Sequence, residues 1–454
     1  MRSVKKGIKF NTTQLILLSF LAVILLGSVL LSLPISTKTG ESVPYIDALF
    51  TATTATCVTG LVTLPTYSTW SVFGQIVILI LIQIGGLGVI TVLSGITIAL
   101  HKKMKLGDSR LISDAFNLNS LEGLGAFIKK VILGTFIVEG VGALLYMPVF
   151  IRDFGLGGIW IAIFNSISAF CNAGIDIIGD SSLMPYVTDP LINGVTCALV
   201  IISGLGYIVW WDVLRVLKNV RAQGLKCFRF LSLHSKIVLS STLVLIFGGA
   251  ALIFAFEYSN AETIANMSLF EKIQASIFQS VTTRTAGFAA LDQSALTEGG
   301  SIVSLFLMFI GGSPVGTAGG IKTVTLVVLL VTAYAVISGR NDVSLFNRSI
   351  SKQSVRKAVA VVMMSFSIMM ISTLLLAFVT DATALEILYE TVSATATVGL
   401  TKNLTPLLNI WGKIIIICTM YFGRIGPISL AIAFSYQKEI VNNIKDPTEE
   451  ISVG

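Results

Sequence analysis

Eight long apolar stretches limit the possible folds of this chain more than any other sequence feature. They lie at 14–33, 72–100, 126–150, 191–214, 236–256, 300–337, 357–379 and 410–436. A helix needs roughly 20 residues to cross a hydrocarbon layer of about 30 Å, so each stretch is long enough for one crossing. Only 12% of the 454 residues are charged, which is too few to cover a water-soluble globule. The sequence therefore predicts an all-α integral membrane protein with eight transmembrane helices.

The distribution of positive charge predicts how these helices are oriented. Lys and Arg cluster in the N-terminus, in 101–130, in 215–236 and in 340–357. By the positive-inside rule, these regions and both termini face the cytoplasm of a multi-pass plasma-membrane protein. The net charge of +7 is explained by this topology. Membrane lipids are thus expected partners, and nucleic acid is not.

Each of the four connections expected to face outward contains a semi-apolar stretch that is too short to cross the membrane. They read "FTATTATCVTGL" (50–61), "FNSISAFCNAGI" (164–175), "IFQSVTTRTAGF" (277–288) and "YETVSATATVGL" (389–400). Their glycines, Gly60, Gly174, Gly287 and Gly399, are separated by 114, 113 and 112 residues. One such stretch alone is an ordinary turn between helices, but a fixed period indicates internal repeats. The predicted units are four pore repeats at 1–100, 101–216, 217–337 and 338–440, and a cytoplasmic tail at 441–454.

Each repeat is predicted to form a helix, a short re-entrant helix with its loop, and a second helix. Two crossings per repeat return the chain to the cytoplasm, so all four repeats insert in the same orientation and are related by an axis along the membrane normal. The expected fold is a pseudo-fourfold ring around a central pore. Rings of backbone carbonyls select ions by replacing their hydration shell, and glycine provides the backbone freedom that this requires.

The second helix of the third repeat contains a glycine cluster that opposes helix formation. The other three repeats keep glycine pairs that are typical of close helix packing, so only the third is expected to be broken. A loop at this depth, below the glycine turns, would cross the ion path and is a candidate gate. The alternative is a kink that serves packing. The candidate gating residues are Gly311, Gly312, Ser313, Pro314, Gly316, Thr317, Gly319 and Gly320.

Three basic residues fall within apolar or re-entrant segments, where charges are rare and functional by default. Arg424 lies within the last apolar stretch and is expected near the third-repeat loop, as an electrostatic barrier or a latch. Arg284 is expected to brace its loop by pairing with an acidic residue such as Glu390. Lys322 follows the glycine cluster and is expected to extend toward the cytoplasm.

The motifs "SLPIS", "IDALFTA", "CVTGL", "IQIGGLG", "TRTAGF", "GIKT" and "GRIGP" resemble the Trk/Ktr/HKT superfamily of cation transporters, most closely its bacterial Ktr-type (KtrB-like) membrane subunits. The resemblance covers the whole chain. It implies potassium uptake, a homodimer, a soluble cytoplasmic ring that binds nucleotides and controls the pore, and a dependence on Na⁺. It also implies that K⁺ is held by filter carbonyls of Val58, Thr59, Gly60, Asn172, Ala173, Gly174, Thr285, Ala286, Gly287, Thr397, Val398 and Gly399.

Other functions are less well supported by the residues. A Na⁺-coupled or Na⁺-permeable carrier of monovalent cations is the nearest alternative to a K⁺ pore. A carrier of an organic substrate is expected to have broken helices in paired repeats. An enzyme or a metal site needs grouped carboxylates, histidines or cysteines, and the five cysteines are scattered. The sequence therefore predicts a transporter rather than an enzyme.

Overall fold

The computed structural model describes residues 12–89, 91–92, 94–95, 124–219, 224–340 and 342–426. Most of the predicted cytoplasmic loop at 101–130, the predicted end of the last helix at 427–436 and the tail at 441–454 lie outside the described residues.

The described chain is almost entirely helical. In chain order the helices are α1 Thr12–Leu31, α2 Tyr45–Cys57, α3 Thr66–Thr69, α4 Val72–Leu87, α5 Leu124–Phe154, α6 Gly157–Cys171, α7 Pro190–Leu205, α8 Tyr207–Leu217, α9 Leu233–Glu257, α10 Leu269–Thr282, α11 Glu298–Phe309, α12 Thr323–Ile337, α13 Lys352–Ala377, α14 Ala384–Ala396 and α15 Ile410–Ile425. Short 3₁₀ turns lie at Pro34–Ser36, Met184–Tyr186, Gly224–Phe230 and Thr405–Leu407. The strands β1 Ser344–Leu345 and β2 Arg348–Ser349 form an antiparallel pair.

The first helix of each predicted repeat is long and continuous. Within the described residues, α1, α5, α9 and α13 are long and apolar enough to cross a membrane, and α7 with α8 makes a fifth span if that bent pair is counted once. Many of their apolar side chains are exposed, such as Leu26, Leu144 and Val244. These helices present the hydrocarbon-compatible outer surface of the molecule.

A short helix follows each first helix and is buried inside the molecule. These are α2, α6, α10 and α14, with 13 to 15 residues each. The last two begin with capping boxes, Ser268 with Glu271 and Thr383 with Glu386, which satisfy free backbone N–H groups at the helix start. In all four, nearly every residue of the last two turns is buried. The short helices therefore carry their C-terminal ends into the centre of the protein.

The second helices are short or broken, which corrects the expectation that only the third one is interrupted. The pair α7 and α8 is bent by 96° around Gly206. Helices α4 and α15 are followed directly by Gly88 and Gly426, which cap their C-terminal ends. All three glycines have φ between 84° and 87°, a conformation that glycine adopts without the steric cost of a side chain. The glycine motifs therefore end helices as well as packing them.

The expected close packing is found at other glycines of the same motifs. A side chain at Gly85 would meet the backbone oxygen of Thr56, and one at Gly423 would meet that of Thr395. The second helices of the first and fourth repeats thus approach the end of a short helix through bare backbone.

The last described helix contacts the first repeat, so the first and fourth repeats lie side by side. The Lys413 ammonium lies 2.5 Å from the Asp47 carboxylate at the start of α2, 366 residues earlier in the sequence. The Tyr421 hydroxyl donates to the Leu17 backbone oxygen at 2.8 Å. Residues of α1, α2, α14 and α15 also share one apolar cluster.

Candidate functional site

The four glycines predicted from the repeat spacing come together in the centre of the molecule. A side chain at Gly60 would lie 2.6 Å from the Ala173 oxygen, and one at Gly174 would lie 2.6 Å from the Ala286 oxygen. In the same way Gly287 faces the Val398 oxygen, and Gly399 faces the Thr59 oxygen. Each loop therefore contacts the next in chain order, and the fourth contacts the first. We call residues 58–60, 172–174, 285–287 and 397–399 glycine loops 1 to 4.

Backbone conformation repeats in these loops as well. Each glycine has a positive φ, between 63° and 101°. Two residues earlier, Val58, Asn172, Thr285 and Thr397 also have positive φ, between 52° and 69°. For branched residues such as valine and threonine this conformation is strained, and strain of this kind persists where the surroundings enforce it and is concentrated at functional sites. The motif spacing did not predict this second special position.

Hydroxyl groups at the ends of the short helices hold the glycine loops from behind. Thr54 Oγ1 accepts from Gly60 N at 2.9 Å, and Ser393 Oγ accepts from Gly399 N at 3.0 Å. Ser168 Oγ accepts from Ile175 N at 3.2 Å. In loop 3, Thr282 Oγ1 instead donates to Phe288 O at 2.7 Å. Sequence reasoning missed these four residues, although a Ser or Thr five or six positions before the glycine recurs in every repeat.

All four glycines line one cavity of about 210 Å³ on the side of the loops away from the second helices' broken ends. Three carboxylates, those of Asp176, Asp180 and Asp292, line it too. Asp176 accepts from Ser182 Oγ at 2.5 Å, and burial raises the pKa of its carboxyl to about 6. The carboxylates therefore give the cavity a negative potential, which attracts a cation that approaches the glycine loops.

The predicted interruption of the third repeat's second helix is confirmed. Helix α11 ends at Phe309 and α12 begins at Thr323, and residues 310–322 between them form an extended loop that folds back on itself. Gly311 N donates to Ile321 O at 3.0 Å, and Ser313 Oγ and Thr323 Oγ1 are 3.0 Å apart. We call residues 310–322 the third-repeat loop.

The third-repeat loop lies directly against glycine loops 2 and 4. Thr317 Oγ1 donates to the Phe170 oxygen at 3.1 Å and accepts from Asn172 Nδ2 at 3.3 Å. A side chain at Gly319 would collide with Thr397 Oγ1. The loop therefore extends beneath the glycine loops from the wall formed by repeat 2 to that formed by repeat 4.

Arg424 reaches this loop, as the sequence predicted. Its guanidinium donates to the Thr317 oxygen at 2.6 Å and to the Gly85 oxygen at 2.5 Å. Among the described residues no carboxylate lies within 4.0 Å of it. The charge is thus held by backbone oxygens of repeat 1 and of the third-repeat loop.

Below the third-repeat loop is a second cavity, of about 370 Å³. Its lining includes Arg424, Lys322, Gly85 and much of the third-repeat loop. Lys322 Nζ donates to the Ala318 and Gly319 oxygens at 2.6 and 3.3 Å, so it turns back to the loop rather than extending to the cytoplasm as expected. The loop therefore lies between the inner cavity and the glycine loops.

The expected pairing of Arg284 with Glu390 is wrong. Arg284 Nη2 donates to the Gly311 oxygen at 3.4 Å, so it braces the start of the third-repeat loop. Glu390 accepts from Thr401 Oγ1 at 2.6 Å and from Thr405 Oγ1 at 2.5 Å. Both side chains are buried behind glycine loops, but they belong to different hydrogen-bond networks because each finds a nearer partner in its own surroundings.

Comparison with known proteins identifies the family of this chain. The pattern of the TrkH family, described as cation transport protein, matches residues 8–443. The chain belongs to this family. It is 40% identical over 450 residues to the Ktr system potassium uptake protein B of Bacillus subtilis, covering 99% of this chain and 98% of that protein.

This TrkH-family chain is similar to two further proteins. The potassium/sodium uptake protein NtpJ of Enterococcus hirae is 37% identical over 452 residues, and the match covers 98% of each chain. The potassium transporter TrkH from Vibrio parahaemolyticus has the same fold, with a TM-score of 0.73 at 16% identity over 96% of this chain and 87% of that one. Membership of the TrkH family confirms that the chain is a multi-pass membrane transporter rather than an enzyme.

Proposed function

We propose that this protein takes up K⁺ across the plasma membrane through a pore formed by its four glycine loops, as the ion-translocating subunit of a Ktr-type system. The observation that carries the proposal is the arrangement of Gly60, Gly174, Gly287 and Gly399. They recur at an almost constant spacing, contact one another in chain order and line one acidic cavity. A ring of bare backbone is what a carbonyl filter for a monovalent cation requires.

In this proposal the glycine loops form the selectivity filter of a pseudo-fourfold molecule with eight membrane crossings. The first helices supply four continuous crossings, and the broken second helices supply the other four. Carbonyl oxygens of residues 58–60, 172–174, 285–287 and 397–399 replace the water around K⁺. The transported ion is K⁺, and Na⁺ is a candidate second ion.

We further propose that the third-repeat loop is the gate. It lies beneath the filter. Its Thr317 bonds to Asn172, and its Gly319 lies against Thr397. Arg424 holds the loop through a hydrogen bond to the Thr317 oxygen. A cation that leaves the filter would meet this loop and the Arg424 charge before it reached the inner cavity. Opening the pore therefore requires the part of the loop that crosses the ion path to move aside.

The partners follow from the Ktr resemblance. We propose a homodimer with both termini in the cytoplasm and a soluble nucleotide-binding ring that acts on the pore from that side. The sensitivity of uptake to nucleotides would then belong to the ring. The broken second helices support a regulated pore, because short segments joined at glycine can change their relative angle without unfolding.

The test is uptake of Rb⁺ or K⁺ by the purified chain in liposomes, with and without Na⁺. We expect uptake that saturates with K⁺ and that Na⁺ inhibits only weakly as a competitor. Liposomes that take up no more ion than protein-free controls would overturn the proposal.

A Na⁺-coupled or Na⁺-permeable carrier is the second candidate, and the similarity to the potassium/sodium uptake protein NtpJ favours it. The two are separated by the same assay. Coupling requires that an imposed Na⁺ gradient drives K⁺ against its own gradient, whereas a pore lets K⁺ run only downhill.

A further inference from the structure

One side chain links the proposed filter directly to the proposed gate. At the first position of the glycine loops, Val58 has no polar group, and the Thr285 and Thr397 hydroxyls have no hydrogen-bond partner among the described residues. Asn172, at the same position of loop 2, has two partners. Its Oδ1 accepts from Ser203 Oγ at 3.2 Å, and its Nδ2 donates to Thr317 Oγ1 at 3.3 Å.

Thr317 is placed to hold glycine loop 2 in its conformation. Its hydroxyl makes two hydrogen bonds there, one with the Asn172 side chain of loop 2 and one with the Phe170 backbone oxygen in the last turn of α6. Both Thr317 and Asn172 are fully buried, so water cannot replace these bonds. Asn172 has φ 59° and ψ 45°, a conformation that asparagine tolerates and that its fixed side chain reinforces.

We infer that Thr317 is a positioning residue for K⁺ selectivity, acting through Asn172 on the carbonyls of glycine loop 2. The inference rests on the proposed function and deepens it. The third-repeat loop is then more than an obstacle, because it completes the hydrogen bonds of one filter wall while it lies against the filter. The inference requires that Thr317 keeps its bond to Asn172 while the part of the third-repeat loop that crosses the ion path moves aside.

The inference separates Thr317 from the rest of its loop. Ser313 is a second buried hydroxyl of the third-repeat loop, but its partner Thr323 belongs to the start of α12 and not to the filter. A residue that serves only the folding of the third-repeat loop should behave like Ser313. A residue that positions the filter should also change ion preference.

The test compares full-length Thr317→Val, Thr317→Ser and Ser313→Ala in liposomes, with initial rates of K⁺ uptake measured against K⁺ concentration and with Na⁺ as competitor. Valine keeps the volume of threonine and removes the hydroxyl. We expect Thr317→Val to lower the preference for K⁺ over Na⁺ by about fivefold, which is the change in an equilibrium constant that one net hydrogen bond produces. Thr317→Ser should restore it, and Ser313→Ala should keep the wild-type preference.

A second variant covers the case in which Thr317→Val does not fold. Ser203→Ala removes the other hydrogen-bond partner of the Asn172 side chain without altering the third-repeat loop, and it should lower the preference in the same direction. If a folded Thr317→Val or Ser203→Ala variant keeps the wild-type preference for K⁺ over Na⁺, whatever its flux, the inference is overturned but the proposed function is not. A wild-type chain without K⁺ uptake would overturn the proposed function together with it.

Discussion

Replacement of Arg424 by glutamine should raise the flux of K⁺ in the absence of any cytoplasmic partner. Arg424 makes two charge-assisted hydrogen bonds, at 2.6 Å to the Thr317 oxygen and at 2.5 Å to the Gly85 oxygen. Each such bond contributes about 1.5–3 kcal/mol, and glutamine can retain one of the two. Loss of the bond to the Thr317 oxygen favours release of the third-repeat loop by about 10- to 150-fold.

The charge of Arg424 adds a second effect in the same direction. A cation that passes within about 4 Å of an unpaired positive charge meets a repulsion of roughly 4 kcal/mol at an effective dielectric constant of 20. Arg424→Lys separates the two effects because lysine keeps the charge but loses the planar fork that binds two oxygens at once. If the hydrogen bonds dominate, both variants raise the flux. If the charge dominates, only Arg424→Gln does.

The assay is Rb⁺ uptake into liposomes containing equal amounts of folded protein, checked by thermal unfolding. Lys413→Gln is a matched control, because it removes a charge from the same helix by breaking the ion pair with Asp47. We expect it to lower stability by about 3–5 kcal/mol without raising the flux. A stable Arg424→Gln protein with wild-type flux would refute the reasoning and leave Arg424 with a packing role.

Three further predictions concern the filter, the loop and the acidic cavity. Gly60→Ser should lower the preference for K⁺ over Na⁺, because a Cβ there would lie 2.6 Å from the Ala173 oxygen. The control Gly40→Ser, also at positive φ but with nothing within 4 Å, should keep the wild-type preference. Equal ion selectivity of the two variants in a flux assay would remove Gly60 from the filter. Deleting residues 315–317 should raise basal flux and weaken control by any cytoplasmic regulator, and a folded deletion variant that transports no faster would leave the loop a packing element. Because the pKa of Asp176 is raised to about 6, its carboxyl is neutral below that pH and negative above it, so K⁺ uptake at low K⁺ should rise as the external pH increases through 6. Uptake by Asp176→Asn should not show this rise. The same pH profile in Asp176→Asn and wild type would show that Asp176 does not affect the approaching ion.

The positions of the four glycines and of the third-repeat loop could be predicted from the sequence because both depend on local backbone chemistry. Repeated glycine at a constant spacing has few explanations, and Pro314 within a glycine cluster opposes a helix wherever it lies. The breaks at Gly88, Gly206 and Gly426 could not be separated from packing glycines, because the same motif serves both purposes in these helices. Only the backbone conformation distinguishes the two roles.

Partners of buried side chains were harder to predict. Arg284 and Glu390 are both single charges in apolar surroundings, which made a pair the simplest expectation, yet each is satisfied by a different group. The link from Asn172 to Thr317 joins residues 145 positions apart, and nothing in either motif indicates the other. Such contacts depend on how the repeats are arranged in space, which repeat spacing alone does not specify.

The ion pair between Lys413 and Asp47 has a consequence for biosynthesis. At about 5–20 residues per second, roughly 20–70 s separate the synthesis of these two residues. During that time the first repeat is already in the membrane with the Asp47 carboxylate unpaired. A chain that is cut short before Lys413 keeps this buried charge permanently, and an uncompensated buried charge is strongly destabilising. Chains that end before Lys413 should therefore be degraded faster than chains that lack one helix but keep the partner of Asp47.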